Sequence, residues 1–185
     1  MKYDAETGLV AGARLVKSPN FDERPDASDI DTIVIHAISL PPGEFGSDAI
    51  EQFFCNKLDY ALHPYYEEIK GVYVSAHLLI TREGELVQFV PLHQRAWHAG
   101  ESECRGRKEV NDFAIGIELE GCDEKPFEGV QYKKLAELTR LLISVFHGLS
   151  LQHVYGHCDV APGRKTDPGP HFDWQHYRHL CQQTA

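Results

Sequence analysis

The chain of 185 residues, 42% hydrophobic and 25% charged, has enough apolar content for a single domain, 1–185, with a full core. Acidic side chains outnumber lysine and arginine 28 to 18, a net charge of −10 that argues against nucleic acid or an anionic membrane as partner. No apolar leader opens the chain, no run is long enough for a membrane span, and Cys55, Cys104, Cys122, Cys158 and Cys181 lack paired metal spacing, so a reduced, cytoplasmic protein is expected.

In chain order, a β-branched run predicts a strand over 31–36, ending where Ser39-Leu40-Pro41-Pro42-Gly43 cannot continue it. Ser47 can cap a helix whose Ile50, Phe53 and Phe54 form one apolar face. Strands are expected over 72–80 and 86–91, joined as a hairpin through Thr81-Arg82-Glu83-Gly84-Glu85. A further strand is expected over 113–120, then a helix from Val130 to Phe146 with Leu135, Leu138, Leu142 and Val145 inward and Gly148 as its stop. A strand over 151–156 and a last helix capped by Asp173, carrying Trp174, Tyr177 and Leu180, complete the list. The alternation predicts an α/β fold with a mixed central sheet flanked by helices.

Three segments carry chemistry. His157 ends an apolar run, and the Pro/Gly-bounded loop after it returns Lys165 and Asp167, two residues apart and therefore on one side of an extended segment. His36 stands at the end of the first predicted strand, where a side chain can project into a cleft. Two histidines and a carboxylate leave the fourth tetrahedral position open for water, the arrangement of hydrolytic zinc. In the strand over 113–120, Phe113, Ile115, Ile117 and Leu119 share one face. Ala114, Gly116, Glu118 and Glu120 share the other, which leaves room for a ligand beside an acid. A glutamate opposite a zinc-bound water is a natural general base, but periodicity does not choose between Glu118 and Glu120. Trp97 offers an apolar face for a sugar and His98 a hydrogen-bonding group beside it. His77, by contrast, reads as a satisfied core histidine or a support for a neighbouring group.

The chain resembles the zinc-dependent N-acetylmuramoyl-L-alanine amidases of the peptidoglycan-recognition superfamily, and most closely the AmpD type, which cleaves 1,6-anhydro-N-acetylmuramyl peptides. The likeness is carried by Val34-Ile35-His36, Ser39 to Gly46, Val74-Ser75-Ala76-His77 and Arg95-Ala96-Trp97-His98-Ala99-Gly100. It continues through Asn111-Asp112-Phe113, Glu120-Gly121 and Gly156-His157-Cys158 to Gly169-Pro170, in order from about Arg14 to Trp174. The resemblance implies a peptidoglycan-recognition/amidase-like single domain in which His36, His157 and Asp167 bind Zn(2+). It also implies that Glu118 is the acid/base, that Lys165 stabilises the tetrahedral oxyanion, and that Trp97 and His98 touch substrate. Many relatives in the wider superfamily use cysteine as third ligand. Here that position is Asp167, so Cys158 is not expected to ligate. Two features depart from the pattern: Ala37 follows the first histidine where asparagine is frequent, and the Cys104–Glu109 loop ends less basic, leaving Arg107 as the candidate grip on peptide carboxylates. The partner implied is a small-molecule muropeptide from cell-wall recycling, with no nucleic acid and no membrane, and the expected state is a monomer.

Overall fold

A six-stranded mixed sheet organises the chain, whose computed structural model describes residues 1–183. Its strands are β1 (Arg14–Leu15), β2 (Thr32–Ile38), β3 (Leu78–Ile80), β4 (Leu86–Gln88), β5 (Ala114–Glu120) and β6 (Val154–Gly156), in the spatial order β6-β2-β5-β3-β4-β1. The four strands β6, β2, β5 and β3 run parallel, β4 returns antiparallel to β3, and β1 lies parallel to β4 at the edge. Short two-stranded ribbons, among them Lys2–Asp4 with Leu9–Ala11 and Phe21–Glu23 with Gln94–Ala96, decorate the periphery.

The helices are α1 (Ala49–Phe54), α2 (Pro64–Glu68), α3 (Gly129–Val145), α4 (His157–Val160) and α5 (Trp174–Gln182). Helix α3 starts where the Gln131 side chain accepts the Glu128 backbone N–H at 2.9 Å, and it buries Leu135, Leu138 and Leu142 as its spacing predicts, with Val145 only half-buried. Each of those leucines is worth about 1.5–3 kcal/mol in apolar surface withdrawn from water. They meet Ile115, Ile117 and Leu119 of β5 and Tyr177 of α5 in the main core. Asp173 caps α5 as expected, accepting the His176 N–H at 2.8 Å.

All seven residues of β5 are buried, because a central parallel strand is covered on both faces. The expected open face is therefore filled. Ala114 packs in a cluster with Val34, Ala99, Val110 and Val160, and Phe113 joins that cluster from outside the strand instead of sharing the Ile115 face. The predicted strand over 72–80 shortens to Leu78–Ile80. Upstream of it the backbone bonds elsewhere: Asn20 Nδ2 donates to the Val74 carbonyl at 2.8 Å, and the Ser75 N–H donates to the Trp97 carbonyl at 3.1 Å. The run over 151–156 opens as a 3₁₀ turn, Leu151–His153, before β6, and the strand expected over 86–91 ends at Gln88. At α1 the capping position is Asp48, while Ser47 Oγ accepts the Ala49 N–H.

Register sets up the site. Glu118 of β5 lies directly beside His36 of β2, and Gly156 of β6 beside Ile35, so His157, one residue on, arrives next to His36. The neighbouring parallel strands β2 and β5 thus set His36 and Glu118 two residues before their carboxyl ends, β2 running past the expected end at 36 to Ile38, and β6 delivers His157 just beyond its own, near where open α/β sheets form their ligand crevice. Among the described residues no helix is long and apolar enough to cross a membrane.

Candidate metal centre and cleft

His36 Nδ1 and His157 Nδ1 approach within 2.9 Å, and Asp167 Oδ2 lies 3.3 Å from the first and 3.1 Å from the second. Among the described residues these three form a group able to hold a metal ion. Ligands about 2.0–2.1 Å from a tetrahedral ion sit about 3.3 Å from one another, so the observed triangle fits such an ion with little movement. Two imidazole nitrogens and a carboxylate oxygen converging on one point also satisfy each other poorly without a cation between them.

The loop that supplies Asp167 folds back onto β6. The Cys158 N–H donates to the Asp167 carbonyl at 2.9 Å, and an added Cβ on Gly156 would meet Pro168 at 2.9 Å, so only glycine admits the approach. Burial pushes the Asp167 carboxyl up, but hydrogen bonds from His157 and His36 outweigh it and hold the group well below the usual carboxylate range. His36 is buried and its pKa falls to about 4, first through desolvation, against the opposing bond to Asp167. Cys158 stays outside the trio; its thiol faces the neighbouring Asp159.

Glu118 is 8% exposed and lines the same cleft, and its Oε2 is buried with no hydrogen-bond partner. Burial raises its pKa well above the ordinary value; the nearby Asp167 charge adds to the rise and Lys165 opposes it. Lys165 and Arg164 line the cleft from the returning loop. Glu120 has a different fate. Its Oε1 accepts the Gly46 N–H at 2.5 Å and its Oε2 the Arg82 N–H at 2.9 Å, so both oxygens are committed to loop backbone.

The cleft encloses ≈ 480 Å³, within the ~300–1,000 Å³ of small-molecule sites. Of the residues read as substrate contacts, His98 lines it, with its Nδ1 3.0 Å from His36 Nε2. Its ring also explains Gly116: a Cβ there would lie 2.4 Å from the His98 ring, so the space read as room for a ligand is occupied by His98. Trp97 and Arg107 are not brought to the cleft. Trp97 Nε1 donates to Asp22 at 3.1 Å, and Arg107 pairs with Asp29 and Asp31 and stacks over Phe113 at 3.8 Å. His77 is the satisfied buried histidine anticipated, its Nδ1 accepting the Gly116 N–H at 3.0 Å. Sequence reading missed one whole wall, formed by Tyr65, Ile69, Val72 and Val74 along and after α2. The signal available was the pairing of Tyr65-Tyr66 with Val72-Tyr73-Val74 across a charged, Gly-containing segment.

A family model described as N-acetylmuramoyl-L-alanine amidase matches residues 26–170. The 1,6-anhydro-N-acetylmuramyl-L-alanine amidase AmpD of Escherichia coli (strain K12) is 51% identical over 178 residues, covering 96% of this chain and 97% of that protein. Among solved structures, a crystal structure of a Se-Met AmpD derivative superposes with a TM-score of 0.93 at 49% identity, covering 97% of this chain and 99% of the other. The E. coli amidase AmiD, solved in complex with the substrate anhydro-N-acetylmuramic acid-L-Ala-D-gamma-Glu-L-Lys, is similar at 30% identity and a TM-score of 0.60, covering 82% of this chain and 57% of that one. With its fold shared almost from end to end with AmpD, the chain belongs to the N-acetylmuramoyl-L-alanine amidase family, in the group that AmpD represents.

Proposed function

We propose that this amidase is a zinc-dependent single domain that hydrolyses the amide between the lactyl group of 1,6-anhydro-N-acetylmuramic acid and L-alanine, acting on muropeptides in the cytoplasm during cell-wall recycling. The observation that carries the reading is Glu118: a buried carboxylate with an unpartnered oxygen, beside three convergent ligand atoms. A module that only bound wall fragments would have no use for that costly group. The substrate class is supported by the AmpD relative's activity and by the anhydro-muropeptide bound to AmiD. A reducing compartment is supported by five cysteines that are all free.

In this mechanism His36, His157 and Asp167 would hold the ion, which would supply a Lewis acid for the scissile carbonyl and a water pKa near ~7. Glu118 takes a proton from the attacking water and delivers it to the departing alanine nitrogen. Its burial keeps its proton affinity high enough for both halves of that transfer. Lys165 offers its ammonium to the developing oxyanion, a contribution of about 3–4 kcal/mol for one well-placed donor.

The test is incubation of the purified protein with anhydro-muropeptide and, separately, with intact sacculi, read by mass spectrometry. Free peptide from the muropeptide alone is the expected result. Efficient release from sacculi would reassign the substrate to intact wall, and release from neither would remove the activity.

A further inference from the structure

We infer that Asn111 is a positioning residue of the metal site, fixing both histidines through the loop segment His98–Ala99; this rests on the reading of His36 and His157 as zinc ligands. Each imidazole turns Nδ1 toward Asp167 and Nε2 away from it. The Nε2 of His157 lies 3.1 Å from the Ala99 carbonyl oxygen, and the Nε2 of His36 lies 3.0 Å from His98 Nδ1. A carbonyl only accepts, so the His157 Nε2–H donates to Ala99, and with an ion in place of the Nδ1 proton that bond holds the ring in the orientation ligation requires. When His36 presents its own Nδ1 lone pair, its Nε2–H donates to His98. Both supports therefore come from two consecutive residues.

One side chain holds that pair of residues. Asn111 Oδ1 accepts the His98 N–H at 3.2 Å and the Ala99 N–H at 2.8 Å. Two N–H donors converging on one atom require oxygen there, which settles the orientation of the amide. Asn111 is buried in the 3₁₀ turn Val110–Asp112, immediately before β5. Buried Arg24 secures the turn, donating to the carbonyls of Asn111 at 2.8 Å, Asp112 at 3.0 Å and Ala114 at 2.7 Å. The strand that carries Glu118 and the loop that orients both ligands are thus joined at one amide, outside the cleft lining.

Zinc affinity by chelator competition, together with ¹⁵N and proton-exchange signals of the His157 Nε2–H in the metal-free protein, tests this. Asn111→Ala is expected to weaken zinc binding by about 10–100-fold, the usual cost of losing an outer partner of a ligand. It should also loosen the His157 Nε2–H bond to Ala99 and speed its exchange with water. Asn111→Asp keeps the acceptor and should restore both readouts. His98→Phe keeps a ring over Gly116 but removes the acceptor for His36, so it should weaken zinc and leave the His157 Nε2–H bond intact. A folded Asn111→Ala protein with wild-type affinity and Nε2–H signal would overturn the inference. Should that variant fail to fold, unchanged zinc affinity in His98→Phe would overturn it instead. Wild-type protein that binds no zinc would sink the ligand assignment alone, because the Nε2–H comparison needs no metal.

Discussion

Glu118 and Glu120 sit two residues apart on one strand, both buried, yet they end in opposite electrostatic situations. Around Glu120 the protein closes: two backbone N–H groups from Gly46 and Arg82 meet the carboxylate, and the Gln131 amide meets the residue's own carbonyl at 3.0 Å. Around Glu118 it opens, leaving one oxygen without a donor beside Asp167 and Lys165. A carboxylate given all its donors is a clasp for loops; one denied them is held ready for a proton. The difference is made by what packs beyond the strand, and it sets a carboxylate that fixes loops two residues from one left open to the cleft.

The largest effect should come from removing the trio against which Glu118 is set. His36→Ala or Asp167→Ala should abolish stoichiometric zinc, measured by elemental analysis, and with it hydrolysis of anhydro-muropeptide. Cys158→Ser should retain both, since its thiol points to Asp159 and not to the trio. Stoichiometric zinc in both alanine variants would remove the trio from the mechanism and leave Glu118 an unexplained buried acid.

Next in size is the direct contrast between the two glutamates. Glu118→Gln keeps volume and should keep zinc while lowering kcat/KM by about 10²–10⁴, the usual worth of general acid–base catalysis. Glu120→Gln exchanges an acceptor of two backbone N–H groups for an amide that can accept only through its one oxygen. It should lower stability by about 1–3 kcal/mol in urea denaturation, with a much smaller change in turnover at matched zinc occupancy. A larger kinetic loss at Glu120 would reverse the division drawn above.

How much of this was legible in the sequence follows the range of the interactions involved. The β-branched run before the prolines marked the strand that carries His36, although that strand continues two residues past it to Ile38, and the Gly/Pro-bounded loop after His157 marked Asp167, because both signals are local. The helices α3 and α5 were readable for the same reason, through 3.6-residue periodicity and a cap. Glu118 and Glu120 were not separable by period, since their partners lie in other elements: Gly46 and Arg82 are 74 and 38 residues from Glu120. Gly116 was read correctly as a site of close approach but assigned the wrong visitor, for nothing local says that the His98 ring lands there. The strand expected over 72–80 shortened where the Asn20 side chain took the Val74 carbonyl.

A third, smaller effect sharpens the same point at Gly116. Gly116→Ala would drive a Cβ to 2.4 Å from the His98 ring, and overpacking of that kind costs about 1–3 kcal/mol. Thermal or urea unfolding should show the loss, and zinc should bind less tightly because His98 is displaced from His36. Combining the change with His98→Ala should recover part of the stability but none of the zinc affinity. Additive losses in the double variant would mean that the ring is not what glycine accommodates.

The smallest effect is expected at Arg107, the arginine that sequence reasoning offered to the peptide carboxylates. Its guanidinium is shared between Asp29 and Asp31 and lies over the Phe113 ring, so a substrate carboxylate would have to displace two protein carboxylates already in place. At 38% exposure these ion pairs fall in the range where a surface bridge is worth about 0–1 kcal/mol, with the stacking on Phe113 adding about 0.5–1. Arg107→Ala should therefore lower stability only slightly and leave KM for anhydro-muropeptide unchanged, while a matched change at Lys165, which lines the cleft, should lower kcat. A rise in KM at Arg107→Ala with kcat preserved would mean that the arginine leaves Asp29 and Asp31 to bind the peptide. The functional part of the molecule would then extend beyond the strand ends to the Cys104–Glu109 loop.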